Sequence, residues 1–361
     1  MSRIFYGIAG EGRGHAGRAR ALIEALRGRH EVTAYASGFA LEMLAPLYAG
    51  TEVEVRALPR VAFHYDVAHR LDYPRTFFGN LPYLLRMNEH VDQIVRVMER
   101  EAPDLVITDF EPALPRAASK LGLPTLSVDH QHFLVTSDFT ELPRDLRACA
   151  AFMGPFVKAF CPYRDELVVS SFFEAPLAPT DCLVTQVGVL MQPNVRSAVP
   201  ERGDHFVAYL RRDASAAAIE ALSHAPVRVH VYGLGVRPPR GQPDFFDTHP
   251  TRFIEDLATS RALVTTAGNQ LVGEALWLGK PVLAVPEPGN FEQRINAYFL
   301  ARSGAGRACE LEELDGSVLR RFLADQDALL PAVRRARRDG VAAAVARVER
   351  RLAVAVAAPA R

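Results

Sequence analysis

The stretch AGEGRGHAGRARAL (Ala9–Leu22) decides how this chain is read. It follows an apolar run, RIFYGIA (Arg3–Ala9), and leads into a helix-like one, ARALIEAL (Ala19–Leu26). Inside it, Gly12-Arg13-Gly14-His15-Ala16-Gly17 matches G-x-G-x-x-G. A dinucleotide-binding turn also needs an acid at the end of the next strand, where it holds the ribose hydroxyls. That strand, EVTAYASG (31–38), ends in Ala36-Ser37-Gly38 and carries its acid, Glu31, at the opposite end. A nicotinamide cofactor is therefore not expected. The other reading is chemical. A histidine at a strand-to-helix turn projects from the carboxyl edge of the sheet, where open α/β folds bind ligands. A neutral imidazole is a good general base near pH 7. An isolated histidine there could equally cap or pack the following helix, so the rest of the chain has to decide.

Outward from this turn, strands and helices alternate. Apolar strand candidates are Arg3–Ala9, Glu31–Ala36, Glu52–Leu58, Asp104–Asp109 and Pro124–Asp129, separated by helical patterns at Ala19–Arg27, Phe39–Ala45, Leu81–Arg100 and Pro112–Leu121. Strands apolar throughout argue for a parallel sheet covered on both faces. Residues 60–80, RVAFHYDVAHRLDYPRTFFGN, read as a long loop of the kind that carries binding. A linker is expected at 193–204, after which the alternation restarts. Strands are expected at His205–Leu210, Val227–Tyr232, Ala262–Thr266 and Pro281–Val285, and helices at Ala214–Ser223, Thr251–Thr259, Gln270–Leu278 and Glu292–Ala301. The domains predicted are thus 1–192 and 205–330, with an Ala- and Arg-rich helical tail over 331–361. The tail arginines Arg334, Arg335, Arg337 and Arg338 read as a solvated helix face.

The 361 residues suffice for two domains, and Lys+Arg balances Asp+Glu at 42 each, so net charge gives no reason to expect a nucleic-acid partner. The cysteines, Cys149, Cys161, Cys182 and Cys309, show no C-x-x-C spacing, which fits a reduced, cytoplasmic protein. No signal peptide is evident, and no apolar run approaches the roughly 18–20 residues that cross a bilayer. Peripheral contact with the inner face of the membrane stays open.

A second signal lies in ALVTTAGNQLVGEALWLGKPVLAVPEPGNFEQRINAY (262–298). A strand runs into Ala267-Gly268-Asn269, where a helix opens. The exposed N–H groups and dipole of a helix start form an anion site. Glu274 lies about a turn further on, within reach of a ribose whose diphosphate sits at that end. This resembles the donor-binding segment of the GT-B glycosyltransferases that use nucleotide sugars, closest to the MurG-like and UDP-glycosyltransferase branches. The matching residues are Gly268, Glu274-Ala275, Gly279, Pro281, Pro286, Glu292-Gln293 and Asn296-Ala297, together with the N-terminal G-x-G-H and Arg18.

The resemblance implies an α/β fold of two Rossmann-like domains facing across a cleft, with a C-terminal helix packing back on the body. It implies an inverting, metal-independent transferase that moves a sugar from a nucleoside diphosphate, UDP-linked, to an acceptor hydroxyl. The nucleotide sugar is a substrate, and neither a cofactor nor a metal is expected. His15 would be the base, and Asp109, at the end of PDLVITDFEP (103–112), would orient it. Glu111 is a competing partner, and Asp109 has the plainer alternative of capping the next helix. Donor contacts would come from Gly14, Arg211, Thr266, Gly268, Asn269, Gln270, Glu274, Glu292 and Gln293. Two departures stand out: Ala267 replaces a histidine found in many plant-type relatives, and Glu292 replaces the more usual aspartate.

Acceptors bind the N-terminal half in this fold, so Arg13, His64, His69 and His130 are the acceptor-side candidates. The acceptor itself, whether lipid-linked, polysaccharide or natural product, is left open. Asp129-His130-Gln131-His132 invites a metal reading, but no third ligand stands at suitable spacing. Two rival functions remain: an enzyme of the same fold such as a UDP-N-acetylglucosamine 2-epimerase, and a catalytically silent binder of sugar nucleotides or glycolipids.

Overall fold

The computed structural model describes all residues except 67–69, 163–164, 211–215, 239–240, 242 and 358–361. The chain divides into two compact units. The first comprises Met1–His64, Tyr73–Gln192 and Asp339–Arg361; the second comprises Tyr65–Asp72 and Pro193–Arg338.

The first unit is built on strands β1 (Arg3–Ile8), β2 (Glu31–Ala36), β3 (Glu54–Ala57), β4 (Leu105–Asp109), β5 (Thr125–Asp129), β6 (Glu166–Ser170) and β7 (Leu183–Val187). They form one seven-stranded sheet in the order 3-2-1-4-5-6-7, with every pairing parallel. Its helices are α1 (Arg13–Leu26), α2 (Gly38–Tyr48), α3 (Tyr73–Gly79), α4 (Leu81–Leu85), α5 (Met87–Glu101), α6 (Ala113–Leu121), α7 (Phe133–Thr136) and α8 (Arg144–Phe160). Side chains alternate across the pleat. Ile4, Tyr6 and Ile8 of β1 enter one core with Leu22 and Leu26 of α1, while Phe5 enters the opposite core with Ile94 of α5 and Leu114 of α6.

The second unit carries β8 (His205–Tyr209), β9 (Arg228–Tyr232), β10 (Asp244–Phe245), β11 (Ala262–Thr265), β12 (Val282–Ala284) and β13 (Gly306–Ala308). They form a parallel sheet in the order 10-9-8-11-12-13. Its helices are α9 (Pro193–Ser197), α10 (Ala216–Ser223), α11 (Pro250–Thr259), α12 (Asn269–Trp277), α13 (Phe291–Ser303) and α14 (Gly316–Arg335). Buried Lys280 donates to the carbonyls of Ser260 and Glu201, tying the start of this unit to its sheet. The last helix, α15 (Val341–Ala357), returns to the first unit, where Val341, Ala344, Val348 and Leu352 join the core beside α1.

Several expectations need correction. The first helix starts at Arg13, six residues before the apolar periodicity begins, so His15 lies in its first turn. The helix expected over Leu81–Arg100 breaks at Arg86 into α4 and α5. A third of the expected loop at 60–80 is helix α3, and the expected linker contains α9. Pro331 lies inside α14 instead of opening a tail.

Candidate active site

In each sheet, neighbouring strands diverge in connection at one point: β1 beside β4 in the first, β8 beside β11 in the second. Crevices at the carboxyl ends of such strands are where open α/β sheets bind ligands. In the first unit Ile8 pairs with Asp109, so the segment that follows β1 emerges beside the end of β4. The chain turns sharply there. Gly12 caps α1 with φ of 80°, a left-handed conformation that suits glycine. A Cβ on Gly10 would lie 2.5 Å from Ser37 Oγ, so the turn packs directly on the end of β2.

The turn delivers His15 to Asp109. His15 Nδ1 lies 2.7 Å from Asp109 Oδ1. Arg18, one turn along α1, grips the same carboxylate at two points: Nε to Oδ2 at 2.9 Å and Nη2 to Oδ1 at 2.7 Å. Arg18 Nη2 also lies 3.2 Å from His15 Nδ1. The Asp109 carboxylate only accepts, so the 2.7 Å contact calls for the Nδ1–H tautomer, in which the lone pair of the neutral ring is on Nε2. Asp109 is 0% exposed and Arg18 2%. Burial opposes the guanidinium's charge, and Asp109 more than offsets it, so Arg18 holds its proton more tightly than usual. A bidentate buried pair of this kind fixes the carboxylate's orientation. Glu111 is not the partner of His15: its carboxylate accepts from the N–H groups of Ala113 and Leu114 at 2.8 Å each.

After β4, Phe110 adopts φ of 54°, and after β11 Ala267 adopts φ of 65°. Left-handed non-glycine residues are costly and cluster at functional sites. Here Phe110 is the first residue after β4 and Ala267 the second after β11, each close to the strand end beside the switch point.

In the second unit Gly268 is the N-cap of α12 and has no side chain with which to cap it. Thr266 and Gly268 are half-buried; Asn269, Gln270 and Glu274 are buried, with Gln270 donating to Glu274 Oε1 at 2.8 Å. Asn296 donates to the Ala267 carbonyl at 3.1 Å, holding the strained turn from α13. Gln293 is engaged structurally: its amide accepts from the Glu287 N–H at 2.8 Å and donates to the Glu287 carboxylate at 3.2 Å, bracing the loop before α13. Glu292 is half-buried in the first turn of α13. Arg211, and Arg212 beside it, lie outside the described residues.

Gly14, the donor-side candidate of the first unit, and Arg13, an acceptor-side candidate, open α1, and the Arg13 guanidinium lies 5.5 Å from the centre of the Phe39 ring. His64 packs against Gly79, and its backbone N–H donates to Thr76 Oγ1 at 2.9 Å. His69 lies outside the described residues. His130 requires a correction. It is 1% exposed, stacks on Phe133 at 4.5 Å, lies edge-on to Phe173 and contacts the Ser170 carbonyl at 3.2 Å, which makes it a core histidine rather than an acceptor contact.

An exposed apolar surface joins the end of the 60–80 segment to residues the sequence reading did not single out. Phe77, Phe78 and Leu85 on α3–α4, and Phe152 and Phe156 on α8, are all exposed, and Tyr73 meets Phe152 edge-on at 5.5 Å. Contiguous exposed apolar groups of this size mark interaction sites. They come from two short helices and the distant α8, so they give no single periodic signal. No helix among the described residues is long and apolar enough to cross a membrane.

Asp129, at the end of β5, accepts from Ser127 Oγ and from both His132 Nδ1 and its backbone N–H. Burial pushes this carboxyl up, but His132 and Ser127 more than reverse that, holding it at about 2. Its folded value is depressed, so its stabilisation is complete above about pH 4 and is lost as pH falls toward 2. Asp129→Asn is expected to lower stability at pH 7 by about 2 kcal/mol. In urea unfolding at a series of pH values the gap to wild type should close below pH 4; a gap unchanged down to pH 2 would assign the loss to packing alone.

Comparison with known proteins gives a consistent result. The model of glycosyl transferase family 1 matches residues 2–326. An uncharacterized glycosyltransferase of Methanosarcina mazei is 26% identical over 346 residues, covering 84% of this chain and 85% of that protein. Among solved structures, CalG4, the calicheamicin glycosyltransferase, superposes with a TM-score of 0.65 at 20% identity, covering 98% of each chain. LpCGTa in complex with UDP gives a TM-score of 0.60 at 16% identity, with 93% of each chain covered. The two parallel sheets are those of the GT-B fold, and with most of its length matched the chain belongs to glycosyl transferase family 1.

Proposed function

We propose that this glycosyltransferase moves a sugar from a UDP-linked donor to an acceptor hydroxyl, with inversion at the anomeric carbon and with His15 as the base. The observation that carries this reading is the buried triad of His15, Asp109 and Arg18, which leaves Nε2 as the ring nitrogen with a lone pair. In the reaction, His15 Nε2 takes the proton of the acceptor hydroxyl. The acceptor oxygen bonds to the anomeric carbon as the bond to the diphosphate oxygen breaks, and the electron pair leaves with UDP. A single displacement of this kind inverts configuration. Asp109 fixes the tautomer and stabilises the imidazolium that forms. A positioned base supplies roughly 10²–10⁴ in rate.

The first turn of α12, opened by Gly268, suits the leaving diphosphate, because helix N–H groups and the dipole stabilise the charge that develops there. Glu274, about one turn in, accepts from ribose hydroxyls in this reading. The UDP carried by the structural neighbour LpCGTa supports the choice of nucleotide. The exposed aromatic surface on α3, α4 and α8 favours an apolar acceptor, lipid-linked or aromatic, over a polysaccharide.

Titration calorimetry with UDP tests the donor assignment. Glu274→Ala should weaken UDP binding by about 10–100-fold, the worth of a hydrogen bond to a charged group. An unchanged Kd in a folded variant removes Glu274 from the site.

A further inference from the structure

His205, the first residue of β8, and His230, in the middle of β9, rise from the same face of the second sheet. The register pairs His205 with Arg228 and Val207 with His230, which puts both histidines on one side of the pleat. Helix α11 supplies Asp256 to that face. The Asp256 carboxylate lies 2.9 Å from His205 Nε2, and 3.0 and 2.9 Å from His230 Nδ1 through its two oxygens. The Tyr232 hydroxyl donates to Asp256 Oδ2 at 2.7 Å. One ligand atom from each of the three residues lies within 4.8 Å of the other two.

Three features distinguish this cluster from an ordinary buried ion pair. His205 Nε2 is shielded from solvent and close to Asp256, yet no hydrogen bond of acceptable angle reaches it. The side chains stay partly open, at 13% for His205, 21% for His230 and 15% for Asp256, so an ion has a route in. Tyr232 holds one carboxylate oxygen from behind, as outer partners of metal-ligating carboxylates do. The cluster also stands apart from the donor motif. His205 begins β8, whereas Ala267 and Gly268 follow the carboxyl end of the neighbouring parallel strand β11. It therefore lies toward the opposite edge of the sheet.

We propose that His205, His230 and Asp256 bind one divalent transition-metal ion of the zinc class, with water completing its coordination. Two imidazoles and one carboxylate suit zinc or cobalt and are a poor set for magnesium or calcium, which take oxygen ligands. Zinc–nitrogen bonds of about 2.0–2.1 Å require the rings to tilt apart from their 4.2 Å stack, a side-chain rotation that leaves the strands in place. The ion bridges β8, β9 and α11, and so braces the second sheet; it takes no part in sugar transfer. Sequence spacing hides such a site, because its ligands are 25 and 26 residues apart and only strand register brings them together.

The full chain, stripped with chelator, is titrated with Co²⁺ alone. A visible ligand-field band should saturate at one equivalent and be bleached by Zn²⁺. In His205→Phe, which keeps a ring in the stack but removes the nitrogen, affinity should fall by about 100-fold or more. Asp256→Asn should do the same if it folds. Zn²⁺ should raise the Tm of wild type and leave that of His205→Phe unchanged. Absence of the band, or a band of equal affinity in His205→Phe, overturns the proposal. Neither result bears on the His15 assignment, because the readouts are spectroscopic and thermal.

Discussion

His15→Ala lowers the rate of sugar transfer by roughly 10²–10⁴-fold and leaves UDP affinity unchanged. The split follows from position. His15 sits in the first turn of α1 in the first unit, where its Nδ1 is spent on Asp109 and its Nε2 is the only ring atom with a lone pair to offer. The groups proposed to meet the diphosphate and ribose of UDP, the first turn of α12 and Glu274, belong to the second unit. Removing the imidazole therefore removes the proton acceptor without touching a nucleotide contact. Steady-state transfer measured alongside calorimetry of UDP on the same preparation checks both halves. A variant that loses UDP binding together with activity makes His15 a donor ligand, and a variant that keeps its rate has no base there at all.

Asp109→Asn is the second large effect, and it acts on stability as well as rate. The carboxylate is 0% exposed and is the bidentate partner of Arg18, itself 2% exposed. An amide in its place leaves a guanidinium buried without its counter-charge, which costs about 3–5 kcal/mol. It also offers His15 an N–H where a carboxylate oxygen stood, favouring the wrong tautomer, so transfer falls with it. Adding Arg18→Met separates the two losses. Removing both charges should restore most of the stability, measured by chemical unfolding, because an apolar replacement of a buried pair is often neutral. Transfer should stay lost. Recovery of activity in the double variant would mean that Asp109 serves only to neutralise Arg18.

How much of this was legible beforehand depends on whether the signal was local. Strands such as LVITD and TLSVD, buried along their whole length, declare a covered parallel sheet through unbroken apolar runs. β7, with mostly half-exposed side chains, and β10 and β13, with two and three residues, carry too little pattern to stand out. The start of α1 was hidden because Gly12 and Gly14 read as loop, although Gly12 is the cap and Gly14 already lies within the helix. His15 and Asp109 could be nominated from their strand-end positions. That Arg18 completes the group needed the register of β1 against β4, which places Ile8 beside Asp109. His130 misled for the opposite reason. Its position after β5 looks like an edge, but the rings of Phe133 and Phe173 enclose it, and Phe173 comes from a separate stretch of chain.

The account rests on a single displacement driven by an imidazole base, and the most direct measurement is the configuration of the first product. The chain is given an α-linked UDP-sugar with water as the acceptor, and the released sugar is followed by proton NMR before mutarotation sets in. Direct attack by a water deprotonated at His15 Nε2 predicts that the β anomer appears first. Early release of the α anomer would contradict the account, since it requires two displacements or attack from the leaving-group face.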